Sequence, residues 1–259
     1  MSTLPDEGTI VTPRDLVLFR ALSIARFLDC KQAMVVCGFT SMRRANRRLL
    51  KLVLAGLLRR WFVATSARGV KAIYGLSPQA AYLIGEVAHG LIPWKQDRVI
   101  TSSQFLEHQQ AINEIFVPVR FRTLPEGTSC ERWMSFCEPL GASLPLTPDA
   151  YLKIGHGGTV HSMFLELDLG TESSKVWKRK VELYLRLAIS GEFERMFHEK
   201  RFRVLVVLHS SRRLEQVRTT IVQRTDKLFW LSTQDELRNE SLTAPIWLRP
   251  NGVQRLPLL

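Results

Sequence analysis

The stretch Val204 to Leu208 inside FRVLVVLH is apolar without interruption and of strand length. A strand apolar on both faces belongs in the interior of a sheet covered on both sides, which points to helices layered over strands. Its surroundings agree. An amphipathic helix, SSKVWKRKVELYLRLAISGE, precedes it. A helix from Arg213 to Arg224, a strand at KLFWLS, a short helix at TQDELRN and a last strand near IWLR follow. Upstream lie a longer helix, QFLEHQQAINEIFVPVRF, a short strand around CERWMSF, a loop rich in Pro and Gly, and a hairpin beginning at Pro148. The alternation predicts an α/β domain around a mixed sheet, over residues 99–259.

The first third reads differently. The chain carries 36 Lys and Arg against 24 Asp and Glu, a net charge of +12, yet no acidic residue lies between Asp29 and Glu86. Such a segment attracts a polyanion, and double-stranded DNA is the expected partner. Helical spacing runs from Pro13 to about Asp29 behind Thr12 as cap, a second helix fits KQAMVVC up to Gly38, and Thr40 or Ser41 caps a third, MRRANRRLLKLVLAGLL. Two β-rich runs around the turn SARG come next. Three helices and a hairpin predict a winged helix-turn-helix over residues 1–98. In such a domain the start of the third helix meets the bases, so Arg43, Arg44 and Arg47 are expected at bases or phosphates. Arg48 and Lys51 complete the cluster, and Arg68 and Lys71 on the wing would hold flanking phosphates. The core pattern alone would also suit a protein-docking module.

The hairpin carries the remaining chemistry. Alternation along HSMFLELDLG puts Phe164, Glu166 and Asp168 on one face, and Asp149 starts the preceding strand. Three carboxylates converging there could bind magnesium, which takes few hard oxygen ligands. They could equally line a solvated strand face, with Thr171 or Ser173 capping the next helix. The arrangement resembles the PD-(D/E)XK nuclease core, in which an aspartate after proline and an acid on the next strand hold metal and a lysine two residues on assists water. Here Pro148, Asp149 and Glu166 match, while Asp168 stands at the lysine position. Lys180 or Lys178 from the following helix, or Lys153, would have to substitute.

Over most of its length the chain resembles the replication-relaxation family of plasmid and mobile-element proteins. The resemblance lies in an N-terminal winged helix, a helix with His108 and Asn113, the PDA at 148–150, the E-x-D-x-G-T-E run (Glu166, Asp168, Gly170, Thr171, Glu172), and Lys180 and Tyr184 on the next helix. It implies a role in plasmid replication, DNA relaxation or mobilisation, with a restriction-endonuclease-like second domain. That domain either cuts or nicks DNA through Asp149, Glu166, Asp168 and Lys180, or is a degenerate relative used by a regulator for dimerisation or for recruiting replication or transfer proteins. A homodimer reading two half-sites is a further expectation.

The apolar runs are far shorter than a bilayer span, and the first ten residues lack a basic start followed by an apolar stretch, so a cytoplasmic protein is expected. Cys30, Cys37, Cys130 and Cys137 form two pairs with six residues between partners, too wide for common structural zinc sites, so buried reduced thiols are expected.

Overall fold

The computed structural model describes residues 9–64, 69–86, 95–100 and 103–259. Arg68, expected on the wing, lies outside the described residues. The protein is mixed α/β with two sheets. It divides into two compact units, residues 1–117 and 118–259.

In the first unit, α1 (Pro13–Ala25) starts at a capping box: Thr12 accepts from the Asp15 amide, and the Thr12 amide donates to Asp15 at 2.7 Å. The helix expected to reach Asp29 stops at Ala25, because Arg26 takes φ 63° and the chain turns into β1 (Phe27–Asp29). Asp29 instead caps α2 (Cys30–Cys37), accepting from the Gln32 amide at 2.8 Å. Gly38, at φ 63°, ends α2 in the left-handed conformation that glycine adopts without strain. Ser41 caps α3 (Met42–Leu54), which buries Ala45, Leu49, Leu52 and Val53. The hairpin β2 (Leu58–Ala64) and β3 (Val70–Leu76) follows, then α4 (Pro78–Leu83). β1 pairs with β3, and β4 (Val99–Ile100) runs parallel to β2, giving the order β1-β3-β2-β4.

Fully buried Trp61 fills the core of this sheet. Gly75 makes room for it, since a Cβ there would lie 2.7 Å from the indole and 3.1 Å from the Arg26 carbonyl. The long helix α5 (Gln104–Phe121) crosses the division at Val117/Pro118, so most of it packs with the first unit, whereas the sequence boundary at 98/99 assigns all of it to the second. Asn113 explains the attachment. Its buried amide donates to the carbonyls of Ala25 (3.1 Å) and Phe27 (2.7 Å), on either side of the turn at Arg26, and its oxygen accepts from Gln109.

In the second unit, β5 (Thr128–Ser135), β6 (Ala150–His156) and β7 (Thr159–Asp168) are antiparallel neighbours. β8 (Arg203–Leu208) and β9 (Phe229–Thr233) continue the sheet in parallel, in the order β5-β6-β7-β8-β9. Val204 to Leu208 are each 0% exposed, as a central strand requires. The residues near IWLR make only isolated bridges, Leu231 with Leu248 and Trp247 with Leu256, because no regular ladder extends beyond β9. α6 (Ser174–Ile189), α7 (Glu192–Phe197) and α8 (Ser211–Val222) share one apolar cluster with the sheet, and α9 (Gln234–Asn239) follows β9. Tyr151, Phe164, Phe193, Phe197 and Phe202 interlock in that cluster, and each buried ring contributes about 2 kcal/mol. Of the cysteines expected to be buried, Cys37 and Cys130 are, Cys30 is half-buried and Cys137 is exposed. Among the described residues, no helix is long and apolar enough to cross a membrane.

Candidate nucleic-acid interface and carboxylate cluster

The cap at Ser41 fixes where α3 begins, and with it which side chains leave the core. Burying Ala45, Leu49, Leu52 and Val53 turns Arg43, Arg44, Arg47 and Lys51 outward, and all four are exposed. Arg43, Arg47 and Lys51 follow one another at helical i,i+4 spacing, with Arg44 beside them. Among the described residues none of the four forms an ion pair, so their charge faces solvent uncompensated.

Two other cations expected on this surface are engaged elsewhere. Arg48 is drawn inward to Asp15: its Nε donates to one carboxylate oxygen at 2.9 Å and its Nη2 to the other, and Nη2 also reaches the Ile10 carbonyl. Burial pushes the Asp15 carboxyl up, but the bonds from Arg48 and Thr12 outweigh it and hold the group below its ordinary range. Arg48 therefore ties α3 to α1. Lys71 lies 3.0 Å from Asp29 and pins β3 to the residue that caps α2.

The alternation read along β7 gives its faces, and of the two surroundings considered for the acidic face the solvated one is excluded. Phe164, Glu166 and Asp168 do share a side, but Glu166 and Asp168 are 0% and 1% exposed, so it is no solvated face. α6 lies over it. Its cap at Ser173 sets Trp177, Lys180 and Tyr184 along one stripe, which descends the strand: Trp177 meets Asp168, Lys180 meets Glu166, and Tyr184 meets both Glu166 and the Phe164 ring.

The bonds are specific. One oxygen of Glu166 accepts from the Tyr184 hydroxyl at 2.5 Å and the other from Lys180 Nζ at 2.7 Å. Lys180 also reaches Glu172 at 2.6 Å. Asp149 accepts from the Leu167 amide at 2.7 Å, so its side chain extends the β6–β7 ladder. Asp168 accepts from Trp177 Nε1 at 2.7 Å, from the Gly170 amide at 2.5 Å and from Arg213 at 3.0 and 2.6 Å. Gly170 is required at that turn, with φ 92° and the His209 ring 2.6 Å from where a Cβ would stand.

These partners set the charge states. Burial pushes Glu166 up to about 7, with Asp149 adding to the rise, although Lys180 and Tyr184 favour its ionised form. Burial raises the Tyr184 hydroxyl well above its ordinary value, and Glu166 raises it further. For Lys180 burial works the other way, but Glu166, Glu172 and Asp149 together hold the ammonium firmly protonated. Asp168 is lowered, since bonds from Trp177, Arg213 and Gly170 overcome its burial.

The three carboxylates expected to share a magnesium ion are thus parted. Asp149 and Glu166 interact, but Asp168 is turned to Arg213 and Trp177, and both Glu166 oxygens are occupied. Among the described residues, no group of three or more His, Cys, Asp and Glu is placed to hold a metal. As arranged, Lys180 supplies the positive charge between Glu166 and Glu172. Of the lysines considered as substitutes for the motif lysine, Lys180 is the one beside Glu166; Lys178 is exposed, and Lys153 is bound to Glu199 at 2.6 Å. Glu172 and Arg213 escaped the sequence reading as members of this cluster. The place of Glu172 in the E-x-D-x-G-T-E run was a signal for it, whereas Arg213 reaches Asp168 across 45 residues and had none.

A family model described as replication-relaxation matches residues 19–205. A search of the curated proteins finds no match. Among solved structures, the restriction endonuclease FokI is similar at 12% identity and a TM-score of 0.33, over 87% of this chain and 43% of that one. The chain spans less than half the length of FokI.

Proposed function

Because the chain belongs to the replication-relaxation family, we propose that it is a double-stranded DNA-binding protein of a plasmid or mobile element, acting in replication, relaxation or mobilisation. Its first unit serves as a winged helix-turn-helix. The observation that carries this reading is the exposed row Arg43, Arg44 and Arg47 in the first turns of a capped helix, continued by Lys51 in its last turn. The element order supports it, with β1 returning to pair beside the β2–β3 hairpin that follows α3. Seated in a major groove, the first turns of α3 would place Arg43, Arg44 and Arg47 at base edges and phosphates, and Lys51 at the backbone. The second unit is then a scaffold whose buried acids are neutralised from within by Lys180 and Arg213.

The test is titration of a labelled duplex with Arg43→Ala/Arg44→Ala/Arg47→Ala. Duplex affinity is expected to fall at least a hundredfold at low salt, and the slope of log K against log salt to flatten by about three. Binding equal to that of the unaltered protein would remove the assignment.

A second reading, magnesium-dependent nicking of the bound DNA, is favoured by one observation. Asp149, Glu166 and Glu172 surround a single ammonium, and Glu172 Oε2 is buried without a partner among the described residues. Supercoiled plasmid incubated with magnesium or manganese discriminates. Nicking that disappears in EDTA and in Asp149→Ala would establish cleavage, whereas plasmid that is shifted but intact leaves DNA binding as the function.

A further inference from the structure

At the edge of the second unit away from the carboxylate cluster, the beginnings of β7, β8 and β9 border a half-open cavity of about 630 Å³. Arg201, Arg203, Lys227 and Arg249 line it together with Trp230 and Thr159, and the lining contains no Asp or Glu. Four cations around one hollow repel each other, and the fold holds them there by neutral means. The Trp230 ring carries both the Arg203 guanidinium at 5.1 Å and that of Arg249 at 4.7 Å from its centroid. Backbone carbonyls orient the same two side chains: Arg203 donates to Leu258, and Arg249 to Asp226 at 2.9 Å.

The charges are therefore positioned without being cancelled. Burial lowers the pKa of Arg203, and the proximity of Arg249 lowers it further, as two cations facing each other must. The opposing charge that acts on Arg249 is Asp226, which is exposed. The buried Trp230 indole N–H has no acceptor among the described residues, which leaves a donor beside the cluster. Planar guanidiniums fixed on an aromatic ring suit phosphate oxygens, which they engage through paired N–H groups, and the volume is that of a small-ligand site.

We propose that this cavity is a phosphate site that binds a nucleotide through Arg201, Arg203, Lys227 and Arg249, separate from the DNA-binding row on α3. The shared chemistry is the phosphate ester, which a free mononucleotide and the backbone of a single strand both present.

The experiment uses the full chain carrying Arg43→Ala/Arg44→Ala/Arg47→Ala, so that binding through α3 does not contribute. Anisotropy is recorded with a fluorescent nucleoside triphosphate and with a labelled ten-nucleotide single strand, each competed with pyrophosphate. Binding of at least one probe is expected, with at least tenfold weakening in Arg203→Gln/Arg249→Gln. The exposed pair Arg201→Ala/Lys227→Ala, which leaves the indole contacts in place, is expected to weaken it about fivefold without lowering Tm. Tighter binding of the triphosphate identifies a mononucleotide site; tighter binding of the strand identifies a backbone site. Binding of neither probe overturns the proposal. So does equal weakening in Lys178→Ala/Arg179→Ala on the exposed surface of α6, since any loss of charge would then suffice. Duplex binding by the protein with intact α3 is measured separately, so the proposed function and this site fail independently.

Discussion

Arg47 and Arg48 are adjacent in the chain and opposite in consequence. Arg47 is exposed, whereas Arg48 neutralises an Asp15 whose side chain is only 2% exposed. Arg48→Ala would leave that buried carboxylate without its counter-charge, held by Thr12 alone, which costs about 3 kcal/mol, while Arg47→Ala should stay within about 0.5 kcal/mol of the unaltered protein. Urea unfolding of the two variants checks this, and equal stabilities would count against the inward role of Arg48. Glu166 permits a test by pH. Its folded pKa of about 7 lies above the ordinary 4.5, so the stability it contributes is full below 4.5 and is lost as pH rises through 7. Across that window the loss is on the order of 3 kcal/mol. Glu166→Gln should flatten the stability profile between pH 5 and 7; an unchanged slope would mean that Glu166 titrates normally.

At the level of the element, α3 is built against its own electrostatics. Arg43 with Arg47, and Arg47 with Lys51, are like charges at i,i+4, each costing a few tenths of a kcal/mol in an isolated helix. Arg43→Ala/Arg47→Ala should therefore hold or slightly raise Tm while weakening duplex binding, and a fall in Tm would show that those arginines support the fold. Much of this element was legible in the sequence: Ser41, the apolar positions and Gly56 bound it closely. So were α6, β7 and β8, whose periodicities are long. What stayed hidden depends on partners remote in the chain. Arg48 and Asp15 are 33 residues apart, and Lys71 and Asp29 are 42 apart. No local pattern distinguishes an arginine held by a distant carboxylate from one facing solvent. The choice between a clustered and a solvated setting for the carboxylates of β7 stayed open for the same reason, since their burial under α6 depends on packing rather than on alternation. Short β1 escaped because helical spacing from α1 carries through Phe27, and the left-handed turn at Arg26 has no glycine to announce it.

Across the whole molecule, two units with separate cores imply that unfolding is not all-or-none. Calorimetry should resolve two transitions, with Arg48→Ala lowering one and Glu166→Gln changing the pH dependence of the other; a single transition displaced by both variants would show that the units unfold together. Charge divides in the same sense, because the stretch between Asp29 and Glu86 that holds α3 lacks any acid, so salt should weaken duplex binding far more than it alters stability. The order β5-β6-β7-β8-β9 has a further consequence during synthesis. The strands stand side by side in the sequence in which the ribosome releases them. Each new strand finds its neighbour's edge already made, and no finished pairing has to open to admit a latecomer. Even the slow parallel joints, β7 to β8 and β8 to β9, are additions to a growing margin, and the bridge from Leu248 to Leu231 forms against a β9 already in place.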